Sequence, residues 1–348
     1  MNILLDIKTV LEELCGCTAP SGFEAPAVQV ASRLLEPLVD ELQVDRMGNL
    51  IGARRCGRPG AKKLLLDAHL DEIGLLVTGV ADGFLRFRSI GGVDPRMLPG
   101  REVWVLTQPP LPGVVTCQPP HLHDGEEESK SIPLSDLRID VGMSQEQTEA
   151  KIPVGTPVVY RGSCFSLGTE QMCGKALDDR SCFVVLLRTI ELLANRKLDV
   201  DVYVMGSTRE EVSGVGATVG TWSIQPDCCV AVDVTHGRTP DGPADKTFTL
   251  GGGPAIGVGP NMTRWMTKRM LEKAQDRNIP YQQEVMSGHT GTNGWEMQIS
   301  REGVATSVLS LPLKYMHTPI ETLSLSDLEQ TARLLAAFTE DLGKEWPL

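Results

Sequence analysis

The chain has 348 residues, of which 41% are hydrophobic and 22% are charged, as is usual for a globular protein with a sizeable core. Its formal net charge of -12 argues against nucleic acid and anionic membrane as partners, because both require a basic surface. A chain of this length is expected to contain two domains.

The start of the chain and the cysteines predict a cytoplasmic protein. Residues 1–13 form an amphipathic pattern that includes acidic side chains, which is unlike a signal peptide or a transit peptide. No run of about 18 apolar residues predicts a membrane span. The nine cysteines are scattered and lack a C-x-x-C spacing, so free thiols are favoured over a disulfide framework or a structural zinc site.

Residues 1–70 have the pattern of an α/β domain. A helix is predicted over about residues 3–14. Ser21-Gly-Phe-Glu24 has the spacing of a capping box that would begin a second helix, ending near residue 38. Strand-like runs at 41–44 and 50–54 flank a turn and predict a hairpin. The apolar run Leu64–Leu66 then predicts a buried strand.

Residues 73–162 have a different pattern. Short β-branched or alternating runs are separated by glycine and proline, and only residues 144–150 resemble a helix. Such short strands with frequent turns predict a small β barrel or sandwich. The acidic stretch Asp124–Glu128 is interpreted as an exposed loop. The strand-like runs lie at 75–80, 85–89, 103–106, 114–116 and 157–160.

After residue 163, predicted strands alternate with predicted helices, which indicates a mixed, mostly parallel sheet flanked by helices. The strands are expected at 200–207, 227–234 and 304–310, and the helices at 178–193, 261–278 and 324–344. The barrel segment therefore interrupts an α/β domain. We predict a discontinuous domain of residues 1–72 and 163–348, and an inserted β-barrel domain of residues 73–162.

His69 and Asp71 end the predicted leucine strand. A neutral imidazole binds zinc-like metals, and its second nitrogen normally donates to a carboxylate that fixes the tautomer. Residues i and i+2 of a strand face the same side, so Asp71 is placed to be that partner. A solvent-exposed strand end with an ion-paired aspartate would give the same local pattern. This stretch alone therefore does not distinguish a metal site from an ordinary strand end.

Further polar residues stand at comparable places, next to strand ends or helix starts: Asp178 or Asp179, Glu210 and Glu211, Asp233, and His317. Each has an ordinary alternative as a helix cap, a solvated turn or a packed loop residue. In an open α/β sheet, however, sites form beyond the carboxyl ends of the strands, so we expect these side chains to converge. Two histidines and three carboxylates can hold two zinc-like ions if one carboxylate bridges.

Eight short motifs are highly specific when taken together: Ser21-Gly-Phe-Glu24, Ala68-His-Leu-Asp-Glu-Ile-Gly74, Pro119-Pro-His-Leu122, Ile139-Asp-Val-Gly142, Ala176-Leu-Asp-Asp-Arg180, Glu210-Glu-Val-Ser-Gly214, Val232-Asp-Val-Thr235 and Tyr315-Met-His-Thr-Pro-Ile-Glu321. With them the chain resembles the M42 family of metallo-aminopeptidases, the TET and glutamyl-aminopeptidase group, over essentially its whole length.

The resemblance implies a centre of two divalent metal ions, Zn²⁺ or Co²⁺. The ligands it implies are His69 and Asp233 for one ion, Glu211 and His317 for the other, and Asp178 as the bridge. It also implies that the inserted domain is a PDZ-like barrel used for assembly, giving a dimer-based homo-oligomer that is often a tetrahedral dodecamer.

Two catalytic residues follow from the same resemblance. Asp71 matches the position that supports His69. Glu210 matches the general base of these enzymes, which remove N-terminal residues from peptides. Adjacent residues on extended backbone face opposite ways, so we expect Glu210 and Glu211 to have different roles.

Two segments depart from the family pattern. In the segment Ser287–Trp295, Asn293 stands where relatives usually carry an aspartate, and the segment His236–Pro240 differs from the usual small and acidic residues. We expect both segments to line the cleft and to affect substrate preference.

Two other functions fit parts of the sequence. Some members of this family have carried endoglucanase labels, but a glycoside hydrolase uses two carboxylates and no metal, whereas these carboxylates accompany two histidines. A non-catalytic scaffold of the same fold would have lost Glu210 or a ligand, and all are present. The sequence therefore predicts an aminopeptidase, a hydrolase that acts on peptides.

Overall fold

The computed structural model describes residues 5–119 and 132–343. Within these ranges the chain forms an 11-stranded mixed sheet with helices and a closed antiparallel barrel. The predicted fold class is confirmed. The acidic loop predicted at Asp124–Glu128 lies outside the described residues. No helix in the described ranges is long and apolar enough to cross a lipid bilayer.

The helices are α1 (Ile7–Gly16), α2 (Ala25–Leu35), α3 (Gln145–Lys151), α4 (Leu177–Leu193), α5 (Val215–Ile224), α6 (Arg264–Asp276), α7 (Gly294–Gln298) and α8 (Leu325–Asp341). The strands of the sheet are β1 (Glu41–Val44), β2 (Leu50–Arg54), β3 (Lys63–His69), β10 (Phe165–Leu167), β11 (Gln171–Gly174), β12 (Asp201–Ser207), β13 (Cys228–His236), β14 (Ala255–Val258), β15 (Gln282–Val285), β16 (Ala305–Lys314) and β17 (Glu321–Ser324). The strands of the barrel are β4 (Gly74–Ala81), β5 (Phe84–Ile90), β6 (Glu102–Val105), β7 (Leu111–Thr116), β8 (Arg138–Asp140) and β9 (Pro157–Tyr160).

The centre of the sheet is parallel and its flanks are antiparallel. The main order is β1-β2-β12-β3-β13-β16-β17-β11-β10, and the neighbours among β12, β3, β13 and β16 run parallel. In this register Ser207 lies beside His69. The carboxyl ends of β3, β12 and β13 therefore meet at one edge, which is where sites form in such sheets.

Both faces of the central strands are covered, which is why the run Leu64–Leu66 of β3 is apolar without interruption. Leu64 and Leu66 pack in the core cluster that includes α4 and α8, whereas Leu65 packs in a second cluster with α5 and α7. The alternation follows from the two-residue period of a strand.

The barrel closes through β4-β5-β8-β7-β6-β9, with β9 returning to β4. Its apolar core is separate from those of the sheet. Leu85 on β5 lies opposite Ile139 on β8, and both are fully buried. Strand β8 was absent from the predicted elements because three residues give no readable alternation. The division of the chain at residues 72 and 162 stays a prediction.

Candidate functional site

A cleft of about 480 Å³ opens at the carboxyl edge of the parallel strands. The residues that line it include six of those singled out in the sequence: His69, Asp178, Glu210, Glu211, Asp233 and His317. The convergence expected from their positions after strands is therefore present in the structure, although the role of each residue stays a prediction.

His69 ends β3 and is almost completely buried. Its Nδ1 lies 3.2 Å from the backbone carbonyl of Asp71 and 3.5 Å from that residue's Oδ1. These contacts leave Nε2 facing the cleft. The predicted i, i+2 partnership is thus present in the structure, through the main chain as well as the side chain.

Asp178 lies between the two histidines. Its Oδ1 is 3.2 Å from Nε2 of His69, and its Oδ2 is 3.2 Å from Nε2 of His317. Glu211 Oε2 is 3.3 Å from the same His317 nitrogen. A single carboxylate that reaches both histidines has the placement that a bridging ligand requires.

Asp233 belongs to a second group of ligand-type atoms. The nearest ligand atoms of His69, Asp179 and Asp233 all lie within 4.8 Å of one another, as do those of His69, Asp178 and Glu211. Asp179 was left as an alternative to Asp178 in the sequence. In the structure it accepts a hydrogen bond from the His69 backbone N–H at 3.2 Å.

Asp178 and Asp179 lie at the start of α4 as predicted, but their backbone is not helical and no side chain caps the helix. The capping alternative is therefore excluded for Asp178. Because the backbone departs from the helix here, both carboxylates are directed to the strand ends.

The cleft concentrates negative charge away from water. Burial raises the pKa of Glu211 and Asp233 well above the usual range, and neighbouring carboxylates raise both further. Burial also opposes ionisation of Asp178, but its contacts with His317 and His69 hold its pKa below the usual value. Such a set of buried carboxylates and imidazoles fits divalent cations, which would neutralise the repulsion.

Glu210 and Glu211 lie in a turn after β12, so the expectation of extended backbone at this pair is wrong. Asp71 organises the turn. Its carboxylate accepts the backbone N–H groups of Glu210 at 3.1 Å and Glu211 at 3.2 Å, and also the hydroxyl of Ser21. Asp71 thereby ties the two glutamates to the loop after His69.

The capping box predicted at Ser21–Glu24 is wrong. Helix α2 begins at Ala25 without a side-chain cap, because Ser21 donates to Asp71 instead. The Glu24 carboxylate accepts N–H groups from Gly22 at 2.6 Å and Arg209 at 3.1 Å. Both polar side chains of the motif therefore support the glutamate turn.

Glu321 was not recognised as a site residue in the sequence. It is 2% exposed, and its carboxylate accepts the backbone N–H groups of Asp178 at 3.1 Å and His317 at 2.9 Å. It fixes the main chain under two ligand-type residues that are far apart in sequence. Its place in the Tyr315–Glu321 motif was the only available signal.

Gly92, from the loop after β5, lies against the His317 ring. A Cβ at this position would be 2.6 Å from Nδ1 of His317, so a larger residue would displace the imidazole. The segment predicted as the inserted domain thus contributes directly to the cleft.

The segment Ser287–Trp295 lines the cleft as expected, through His289, Gly291 and Thr292, but Asn293 itself does not. Its side chain is buried, and Nδ2 donates to Asp67 Oδ2 at 2.8 Å and to Ser207 Oγ at 2.9 Å, beneath the strand ends. The segment His236–Pro240 is likewise not part of the described lining. Glu296, which follows the segment Ser287–Trp295, also lines the cleft and was not singled out in the sequence.

Comparisons with known proteins agree along nearly the whole chain. The sequence model of the family described as M42 glutamyl aminopeptidase matches residues 48–334. The lysyl aminopeptidase of Pyrococcus furiosus is 33% identical, over 92% of this chain and 93% of that protein.

Solved structures are also similar over nearly the whole chain. An aminopeptidase from the archaeon Desulfurococcus kamchatkensis superposes with a TM-score of 0.89 at 36% identity, covering 96% of this chain and 94% of its own. The TET1 peptidase of Pyrococcus horikoshii, which can assemble into a tetrahedron or a large octahedral shell, has a TM-score of 0.85 at 31% identity, covering 97% of this chain and 100% of its own.

Proposed function

The chain belongs to the M42 glutamyl aminopeptidase family, and from this premise we propose that it is a two-metal aminopeptidase that removes N-terminal residues from peptides in the cytoplasm. The family and the aminopeptidase activity were both expected from the sequence motifs and are confirmed by the comparisons. The observation that supports the two-metal mechanism is the Asp178 carboxylate, whose two oxygens face the two histidines.

One ion would be held by His69 and Asp233, the other by Glu211 and His317, with Asp178 between them. Bound there, two zinc- or cobalt-class ions would polarise the scissile carbonyl and lower the pKa of the attacking water. Asp179 is the alternative carboxylate on the His69 side, because its ligand atom lies in the same group as those of His69 and Asp233.

Glu210 is proposed as the general base. Its Oε2 lies 3.8 Å from Nε2 of His69, within the cleft. Burial raises the pKa of Glu210 to about 7, near the working pH that favours proton transfer. Glu210 would take a proton from the attacking water and donate it to the leaving amine.

Asp71 is proposed as a positioning residue. It orients the imidazole of His69 and holds the backbone of Glu210 and Glu211. The free amino group of the substrate would bind among the carboxylates of the cleft, which restricts the reaction to chain ends.

The proposal is tested by elemental analysis and by activity on one purified preparation. About two zinc- or cobalt-class ions per chain are expected, with hydrolysis of aminoacyl-nitroanilides lost on chelation and restored by added metal. Active protein without a transition metal would contradict the two-metal mechanism. Sugar release from cellulose without aminoacyl hydrolysis would favour the glycoside hydrolase alternative, and no hydrolysis in either assay would favour the scaffold alternative.

We propose further that the chain forms a large homo-oligomer, with a dodecamer built from dimers as the expected form. The support is the similarity to the Pyrococcus horikoshii TET1 peptidase, which assembles into closed shells. Residues 73–162 are proposed as the PDZ-like domain that contributes contacts between subunits. Light scattering should report a mass many times 37.8 kDa, and a monomer at micromolar concentration would contradict the proposal.

A further inference from the structure

The charges that line the cleft are unevenly distributed. The described lining contains carboxylates and histidines but no lysine and no arginine. When the five ligand-type residues and Glu210 are set aside, the remaining lining is apolar or carries hydroxyl groups, apart from His289 and Glu296. Those two side chains are therefore the ones left to recognise a charge on the side chain of the substrate's N-terminal residue.

Glu296 extends from the short helix α7 and packs against the turn that carries the glutamates. A Cβ at Gly214 would lie 2.8 Å from both Cγ and Cδ of Glu296, so the missing side chain at Gly214 makes room for this carboxylate. Gly214 also has a φ of +62°, a conformation that suits glycine. The carboxylate is half-buried, and no lysine or arginine of the described residues forms an ion pair with it.

Burial raises the pKa of the Glu296 carboxyl, and His289 lies near enough to that group to lower it. The ring of His289 packs on Trp295 at a centroid distance of 4.4 Å, and its Nδ1 accepts the backbone N–H of Gly291 at 3.0 Å. An acidic substrate side chain would find no lysine or arginine in the described lining, whereas a basic one would find Glu296.

We propose that Glu296 is a specificity-determining residue that makes the enzyme prefer peptides with an N-terminal lysine or arginine. This inference rests on the aminopeptidase function proposed above. The apolar stem of a lysine or arginine would pack against Val212, Val234 or Met316, which share the lining, while its charged end reaches the Glu296 carboxylate. A neutral side chain such as leucine would use the same apolar wall without the ion pair.

The test compares kcat/KM for lysyl-, arginyl-, leucyl- and glutamyl-nitroanilide with the metal-loaded protein. The wild type should prefer the two basic substrates and act least on the glutamyl one. Glu296→Gln should lower kcat/KM for the basic substrates roughly 10- to 100-fold, the value of a charged hydrogen bond, and leave the leucyl substrate unchanged. Glu296→Asp should keep part of the basic preference, and Glu296→Lys should move the preference to the glutamyl substrate.

Glu302→Gln is the matched control, because Glu302 is exposed, lies near α7 in sequence and is outside the described lining, so removing its charge should change no ratio. An equal loss on lysyl and leucyl substrates would overturn the inference, since it would place Glu296 on the α-ammonium group common to both. A wild type that hydrolyses leucyl and lysyl substrates equally would also overturn it, while leaving the aminopeptidase function intact. A wild type that hydrolyses none of the four would instead overturn the proposed function, and the inference with it.

Discussion

The barrel and the sheet domain bury polar side chains to different extents. Among the described residues from Gly74 to Tyr160, the buried polar side chains are those of two threonines, Thr148 and Thr156. The sheet domain completely buries charged groups, including Asp71, Asp179 and Arg180. Burying a charge is costly unless it is paired, so the contrast marks where the fold serves chemistry as well as packing.

A buried ion network lies next to the cleft in the sheet domain. Glu72, which follows Asp71, accepts hydrogen bonds from Lys175 Nζ at 2.8 and 2.9 Å and from Arg180 at 3.0 Å. Arg180 also donates to the carbonyl of Leu70 at 3.0 Å. The network ties the loop after His69 to the start of α4, which carries Asp178. The barrel has no counterpart within the described residues.

The largest effect on activity is expected at the two adjacent glutamates. Glu210→Gln keeps the size and hydrogen bonding of the side chain but removes the base, so kcat should fall roughly 10²–10⁴-fold while the metal content persists. Glu211→Gln should instead lower the metal content, and added metal should restore part of the activity. Both are measured by kcat and elemental analysis on the same samples.

The two variants are controls for each other, because each removes one negative charge from the same turn. If Glu210→Gln lost metal and Glu211→Gln kept it, the two roles would be reversed. Near-normal turnover by Glu210→Gln would mean that another group is the base. Neither substitution should change the stability of the barrel.

A large loss of stability is expected when the buried network loses its acid. Glu72→Gln leaves two buried cations without a counter-charge, which should cost about 3–5 kcal/mol in free energy of unfolding. Lys175→Met should cost less, because Glu72 keeps Arg180. Chemical denaturation monitored by circular dichroism measures both. A Glu72→Gln variant as stable as the wild type would show that the network is not needed for folding.

The sequence predicted the ligand-type residues of the site better than the residues that hold them in place by hydrogen bonds. His69, Asp233 and the glutamate pair could be placed together because each was predicted at or just after the end of a strand, and the carboxyl ends of parallel strands share an edge. In the structure β13 continues past Asp233 to His236. Glu321 and Ser21 could not be assigned, since each acts through a hydrogen bond to a residue distant in sequence. The segment Ser287–Trp295 was placed at the cleft correctly, but the sequence could not show that the Asn293 side chain points away from it toward Asp67.

The fold was likewise predicted where its elements are periodic. Helix α5 was missed because its sequence is rich in glycine and β-branched residues, which are weak helix formers. The structure gives the reason for two of these glycines. A Cβ at Gly216 would be 2.2 Å from the Thr208 carbonyl oxygen, and one at Gly220 would be 2.3 Å from Met205 Sδ. Close packing on β12 selects residues that local propensity disfavours.

In the barrel, apolar truncation should affect stability without affecting the chemistry. Leu85→Ala removes a fully buried side chain opposite Ile139 and should cost about 2–5 kcal/mol in free energy of unfolding. Metal content and kcat below the unfolding transition should stay at the wild-type values. Loss of metal by this variant would show that the barrel core and the cleft are coupled, against the separation of their apolar clusters.

The smallest effect is expected at the fully buried threonine of the barrel. Thr148 in α3 donates its hydroxyl hydrogen to the carbonyls of Ser144 at 2.9 Å and Gly83 at 3.1 Å. Valine has nearly the same shape and helix propensity, and Ser144 still accepts the backbone N–H of residue 148. Thr148→Val should therefore cost only about 0.5–1.5 kcal/mol in free energy of unfolding, the net value of a neutral hydrogen bond. Chemical denaturation of Thr148→Val and Glu72→Gln under the same conditions compares their free energies of unfolding directly. A loss of stability equal to that of Glu72→Gln would mean that a buried polar group contributes as much to stability in the barrel as near the cleft. The two regions would then differ only in the number of buried polar groups.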